Sequence, residues 1–162
     1  MSSSRYLLGA IHTTLERNLD VQSLVGSAHY SALISLDTEL PYIFVTCLGS
    51  TRKYTTSTTW CETYRLQVDC YGHDELEALA ISDAVHGALD FGPAVITTGW
   101  VQNLTCTGEG LLATDMDRVY KGKKASRYTL YYSAFVSRRL DTLGGVGNLV
   151  LNDQQINQEE EV

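Results

Sequence analysis

Histidines, cysteines and a few acidic and basic side chains are the groups in this sequence that could do chemistry. The four histidines are His12, His29, His73 and His86. His73 and His86 flank or ride one predicted helix, but at thirteen residues apart they do not share a face at metal-ligand spacing. The four cysteines, Cys47, Cys61, Cys70 and Cys106, include no CxxC pair. Cys47, Cys70 and Cys106 fall on apolar-facing positions of predicted strands, where a free thiol acts as a small buried hydrophobe. Cys61, at a loop edge, is the best placed for a disulfide. A nucleophilic pair stays open for Cys47 or Cys106 with a histidine. Cys61 and His73 bracket a strand about 35–40 Å long, too far apart to react together. Glu109 with Asp115 and Asp117 offers oxygen ligands to a divalent cation, but no EF-hand spacing or turn glycine accompanies them. Gly144-Gly145-Val146-Gly147 follows no clear strand and opens no clear helix, so it is not a phosphate loop. The residues predict no catalytic centre, no metal and no cofactor.

Charge narrows the partners. Formal net charge is −7, and five of the 19 acids lie after residue 140, where there is no Lys or Arg. The preceding residues carry the other 14 acids against 12 bases and are nearly neutral. Tight binding to a phosphate backbone needs clustered Lys and Arg, so this balance argues against it. Arg52 and Lys53 lie in one long polar connection; Lys121, Lys123 and Lys124 lie in another. No apolar run reaches the roughly 18–20 residues that span a bilayer, so no membrane partner is expected. No secretory leader is predicted after Met1.

The elements that must position these groups turn on residues 62–89. Tyr64, Leu66, Val68 and Cys70 alternate with Thr63, Arg65, Gln67 and Asp69, the pattern of a strand with one face buried. Gly72-His73 breaks the pattern. Asp74 then caps a helix whose apolar face is read as Leu76, Leu79, Ala80, Ile81, Ala84, Val85, Ala88 and Leu89. An earlier helix is predicted from Ser4 to about Asn18, followed by a short turn closed by Gly26. Strands are predicted at 29–36, 42–48, 100–107 and 126–138. The polar stretches 49–60 and 108–125 read as long connections, the first as a loop or a mobile hairpin tip. In the last strand Tyr128, Leu130, Tyr132, Ala134 and Val136 form the buried face. Tyr131 and Phe135 point the other way, where bare aromatics suggest a protein interface. The prediction is an α+β domain over 1–140: an antiparallel sheet of four or more strands with two helices on one face. Residues 141–162 are expected to be a flexible acidic arm.

This order resembles the tail completion or tail terminator family of tailed bacteriophages. The resemblance rests on the amphipathic first helix, Leu24-Val25-Gly26, the Leu40-Pro41-Tyr42 strand start and the polar loop after it. It continues through the strand RLQVDCYG at 65–72, the helix DELEALAISDAVHGAL at 74–89 and a closing hairpin ending at Arg138. The acidic arm and the length of both connections depart from the pattern. The resemblance implies a non-enzymatic structural protein forming a ring, commonly a hexamer, at the head-proximal end of the tail. Such a ring stops the tail tube, offers a docking surface to the head connector or stopper, and passes DNA through its lumen without specific binding. Its place would be the virion, after assembly in the host cytoplasm. Arg52, Lys53, Lys121, Lys123, Lys124, Tyr131 and Phe135 are then the partner-facing residues.

Two other classes remain open from the residues. A small α+β nucleic-acid-binding module would use exposed aromatics on a basic sheet face, and the ten tyrosines are its support. A hydrolase or transferase would need a pocket of convergent polar groups.

Overall fold

A computed structural model describes residues 3–31, 38–54, 59–90, 95–96, 99–109, 113–120 and 123–139. The expected strand beyond residue 31, the Phe91–Pro93 stop, Lys121 and the stretch 141–162 fall outside these residues.

The first helix, α1 (Ser3–Arg17), buries Leu7, Ile11 and Leu15, spaced four apart along one stripe. Asn18 ends it and caps the next helix, its side-chain oxygen accepting from the amides of Asp20 and Val21 at 3.0 Å each. That helix, α2 (Leu19–Val25), is a third helix where the sequence showed only a short turn, and Gly26 closes it at φ 59°.

The strands are β1 (His29–Tyr30), β2 (Tyr42–Tyr54), β3 (Thr59–Gly72), β4 (Val95–Ile96), β5 (Gly99–Glu109), β6 (Ala113–Tyr120) and β7 (Lys123–Arg139). They form one sheet in the order β1-β2-β3-β7-β5-β4, with β6 also paired to β7. Every pairing is antiparallel except β1 with β2, which is parallel, so the predicted α+β sheet is mixed at one edge.

Between β3 and β7 in sequence lies α3 (Glu75–Leu89). The Asp74 carboxylate accepts from the Glu77 amide at 2.9 Å, as its position predicts. Glu77 reaches back past Asp74, accepting from the amide of His73. One core joins the helices to one sheet face: Leu7, Ile11, Leu15, Val21, Ile43, Val45, Tyr64, Leu66, Val68, Cys70, Ile81, Val85, Leu130, Tyr132 and Val136. Each large aliphatic side chain buried there contributes about 1.5–3 kcal/mol relative to leaving it in water.

Two features depart from the sequence reading. Most of the stretches 49–60 and 108–125 is paired ribbon in the described residues, which for the first is the hairpin alternative rather than the loop, and for the second replaces an expected loop. β2 and β3 stay in register out to Tyr54 opposite Trp60, and β6 pairs with β7 out to Tyr120 opposite Lys123. The sheet face opposite the helices is also closed at one end. There Leu40, Tyr42, Tyr71 and Ala125 are buried together, with the Tyr42 and Tyr71 rings stacked 4.7 Å apart. No helix among the described residues is long and apolar enough to cross a membrane.

Candidate functional site

The register of β7 fixes where the candidate residues lie. Thr59 stands opposite Arg139 and Gly72 opposite Ser126. The β2–β3 ribbon therefore turns at the Arg139 end of β7, and the β6–β7 ribbon turns beyond Ser126, at the other end. Lys53 pairs with Cys61, which pairs with Ser137. Lys124 lies thirteen residues away on β7, about 40 Å along an extended strand. The structure thus places the two basic groups at opposite ends of one sheet. Lys53 and Lys124 are exposed. The Lys123 backbone pairs with Tyr120. Lys121 is outside the described residues.

Arg52 is partly committed within the chain. Its guanidinium lies 3.5 Å from the Glu62 carboxylate. Glu62 is buried, and it accepts from Ser50 Oγ and from Tyr64 Oη, each at 2.6 Å. Burial opposes the charged form of Glu62. Those hydrogen bonds and the Arg52 charge outweigh burial and hold its carboxyl below the usual range. A bulge between Cys47 and Gly49 makes this possible, shifting the register of β2 against β3 so that Arg52 stands opposite Glu62. Gly49 takes φ 145° there, a backbone conformation open chiefly to glycine.

Tyr131 and Phe135 lie on the face away from the helices, as predicted. Tyr131 is 39% exposed and Phe135 is half-buried. Their cross-strand neighbours are Gln67 and Thr63 on β3, Gly108 and Asn103 on β5. A second bare apolar surface was not legible. Leu76 and Leu79, assigned to the core by periodicity, are 79% and 40% exposed on α3. Ile81, Val85 and Leu89 face inward as read, but the helix is rotated so that Ala78 and Ser82 join them, while Ala80 as well as the two leucines is exposed.

One polar cluster also escaped the sequence reading. His86 Nδ1 lies 2.6 Å from Asp90 Oδ2, and Nε2 lies 3.1 Å from Glu109 Oε1. Tyr128 Oη donates to the other Glu109 oxygen at 2.9 Å. Partial burial disfavours charge on His86, but Asp90 and Glu109 prevail and raise its pKa. Cys106 is beside them, so the Cys106–histidine pairing left open by sequence is met spatially. Its thiol is not activated. Burial pushes its pKa up, a backbone hydrogen bond at Gly108 only partly offsets this, and the Asp90 and Glu109 charges add to the rise. A nucleophile would need the reverse.

The site is thus a sheet with ribbons running to both ends, two aromatics on the face away from the helices, and a thiol of raised pKa beside its histidine. Residues 9–133 match the family described as Tail completion protein gp17, and the chain belongs to that family of bacteriophage tail structural proteins. No curated protein matches the chain. Among solved structures it is similar to a chain from the "Virion of native gene transfer agent (GTA) particle". The two share 18% identity at a TM-score of 0.65, over 84% of this chain and 98% of that one. At that identity the likeness is one of fold.

Proposed function

We propose that this protein forms a closed ring at the head-proximal end of a phage tail. The ring ends the tail tube, joins it to the head connector or stopper, and lets DNA pass through its lumen. The observation that carries this reading is the opposed placement of the two ribbons. A subunit between two different partners needs contact elements at both ends of a rigid body, and a single sheet spanned by β7 supplies them. Family membership supports the place in the tail, and the similar fold within a gene transfer agent virion supports a place in the particle.

Ring closure needs a heterologous contact, one surface of each subunit against a different surface of the next. Both long sides of the sheet offer one. β1 pairs only with Ile43 and Phe44 of β2, and β4 pairs only with Gly99 and Trp100 of β5. Among the described residues, the remaining lengths of both strands have no further strand beside them. Such edges are ready templates for pairing with another chain. The nearly neutral body suits a lumen that passes DNA without holding it, and the acidic stretch 141–162 would repel the phosphate backbone.

Charge reversal tests the ribbon assignment. Lys53→Glu at one end and Lys123→Glu with Lys124→Glu at the other should each block a different junction, tube capping or head joining. Arg52→Glu is less clean, because it would also set two carboxylates together at Glu62. Particles that assemble normally with all of these reversed would sink the assignment.

A further inference from the structure

The cluster at the seam of α3 and β5 has the composition of a metal site. His86 comes from the helix, Cys106 and Glu109 from the strand. One imidazole nitrogen, the sulfur and one carboxylate oxygen all lie within 4.8 Å of one another. Imidazole, thiolate and carboxylate together suit zinc better than a hard cation such as magnesium or calcium. An exposed acidic pair alone would carry no such preference.

The surroundings supply the second half of a zinc site. A histidine that binds zinc through one nitrogen almost always donates its other N–H to a carboxylate, a backbone carbonyl or water. His86 Nδ1 is 2.6 Å from Asp90 Oδ2, which fixes that ring and leaves Nε2 facing Glu109. The Glu109 carboxylate is likewise oriented, by Tyr128 Oη at 2.9 Å. Cys106 is half-buried, and Glu109 is exposed, so the site opens to solvent on one side.

We propose that His86 Nε2, Cys106 Sγ and the Glu109 carboxylate bind a zinc ion that ties α3 to β5. Asp90 and Tyr128 act as positioning residues for two of the ligands. Binding displaces the Cys106 thiol proton and the proton shared between His86 Nε2 and Glu109, both released to solvent. The ion completes no reaction. It fastens the C-terminal turn of α3 to the strand below it.

The test uses the full chain, stripped with a chelator and titrated with Co2+ as a spectroscopic stand-in, then with Zn2+. A thiolate-to-cobalt charge-transfer band that saturates at one equivalent is expected, with displacement by Zn2+ and a Tm higher by several degrees. Cys106→Ser should abolish the band, while Cys47→Ser and Cys61→Ser leave it unchanged. Asp90→Asn should keep the fold by circular dichroism and weaken Zn2+ binding about 10- to 100-fold. Absence of a band in the unsubstituted chain, or a band that survives Cys106→Ser, overturns the site.

Discussion

Gly72 is the residue on which the join between β3 and α3 depends. A Cβ placed there would come within 2.7 Å of the Ala78 backbone nitrogen and 3.1 Å of Glu77 Cβ. Backbone cannot swing aside as a side-chain tip can, so the helix itself would have to shift. Gly72→Ala should therefore destabilise the fold by about 1–3 kcal/mol, read as a lower urea midpoint at an unchanged slope; an unmoved midpoint would refute the close approach. A second residue-scale device links α1 to β1. The rings of His12 and His29 stack with centroids 5.0 Å apart, and their Nδ1 atoms lie 2.8 Å apart. One must donate and the other accept, so the two rings cannot both be charged. Burial and then the charge of His29 lower the pKa of His12. Burial lowers that of His29, with nearby Glu16 opposing. Folded values below the ordinary 6.5 mean that the unfolded chain takes up protons first as pH falls. The stability of the neutral pair is complete above 6.5 and is lost as pH drops through the lowered values. Unfolding curves from pH 7.5 down to 5 should show a fall in the unsubstituted chain that His12→Asn with His29→Asn flattens. Equal slopes in both would remove the pair from the account.

At the scale of elements, β3 and β7 were legible because alternation survives in them. Tyr64, Leu66, Val68 and Cys70 are all buried, as are Leu130, Tyr132, Ala134 and Val136. The ribbon beyond residue 48 was legible only as one of two alternatives, loop or hairpin tip, because polar and Ser/Thr-rich positions leave no apolar period to read. Its register rests instead on pairing and on Glu62, a charge that hydropathy places outside. The cluster of His86, Cys106 and Glu109 was hidden for another reason. Its members come together only once β5 is set beside β7 under α3, and no local spacing states that. Helix α3 shows the limit of periodicity itself. Its sequence is apolar almost all round, so the pattern alone cannot choose which side is buried, and packing left Leu76 and Leu79 outside. If these leucines, exposed one turn apart, meet a partner, substitution should separate assembly from stability. Leu76→Asp with Leu79→Asp should leave the unfolding free energy within about 0.5 kcal/mol of the original, yet weaken assembly of the protein into particles. A large loss of stability would instead return these side chains to the core.

For the whole molecule, the same sheet must serve two kinds of contact. In the proposed ring its ends meet unlike partners and its sides meet copies of itself. If the sides pair, β2 of one subunit lies against β5 or β6 of the next, and backbone hydrogen bonds continue from subunit to subunit until the circle closes. Closure sets the count, so the assembly should have one mass rather than a ladder. Light scattering of the purified protein across a range of concentrations should then give a single closed oligomer near six subunits. The bare aromatics on the face away from the helices are the side chains available to set the angle between neighbours. Tyr131→Lys with Phe135→Ser should shift that oligomer toward monomer while far-ultraviolet circular dichroism stays unchanged. Some rings close only on a template, so a monomer in solution directs the same measurement to mixtures with purified tail tubes. There the protein should sediment with the tubes and cap their ends. A chain that stays monomeric alone and also fails to bind tubes would end the ring reading, and salt-dependent binding to DNA or RNA would put the nucleic-acid module in its place.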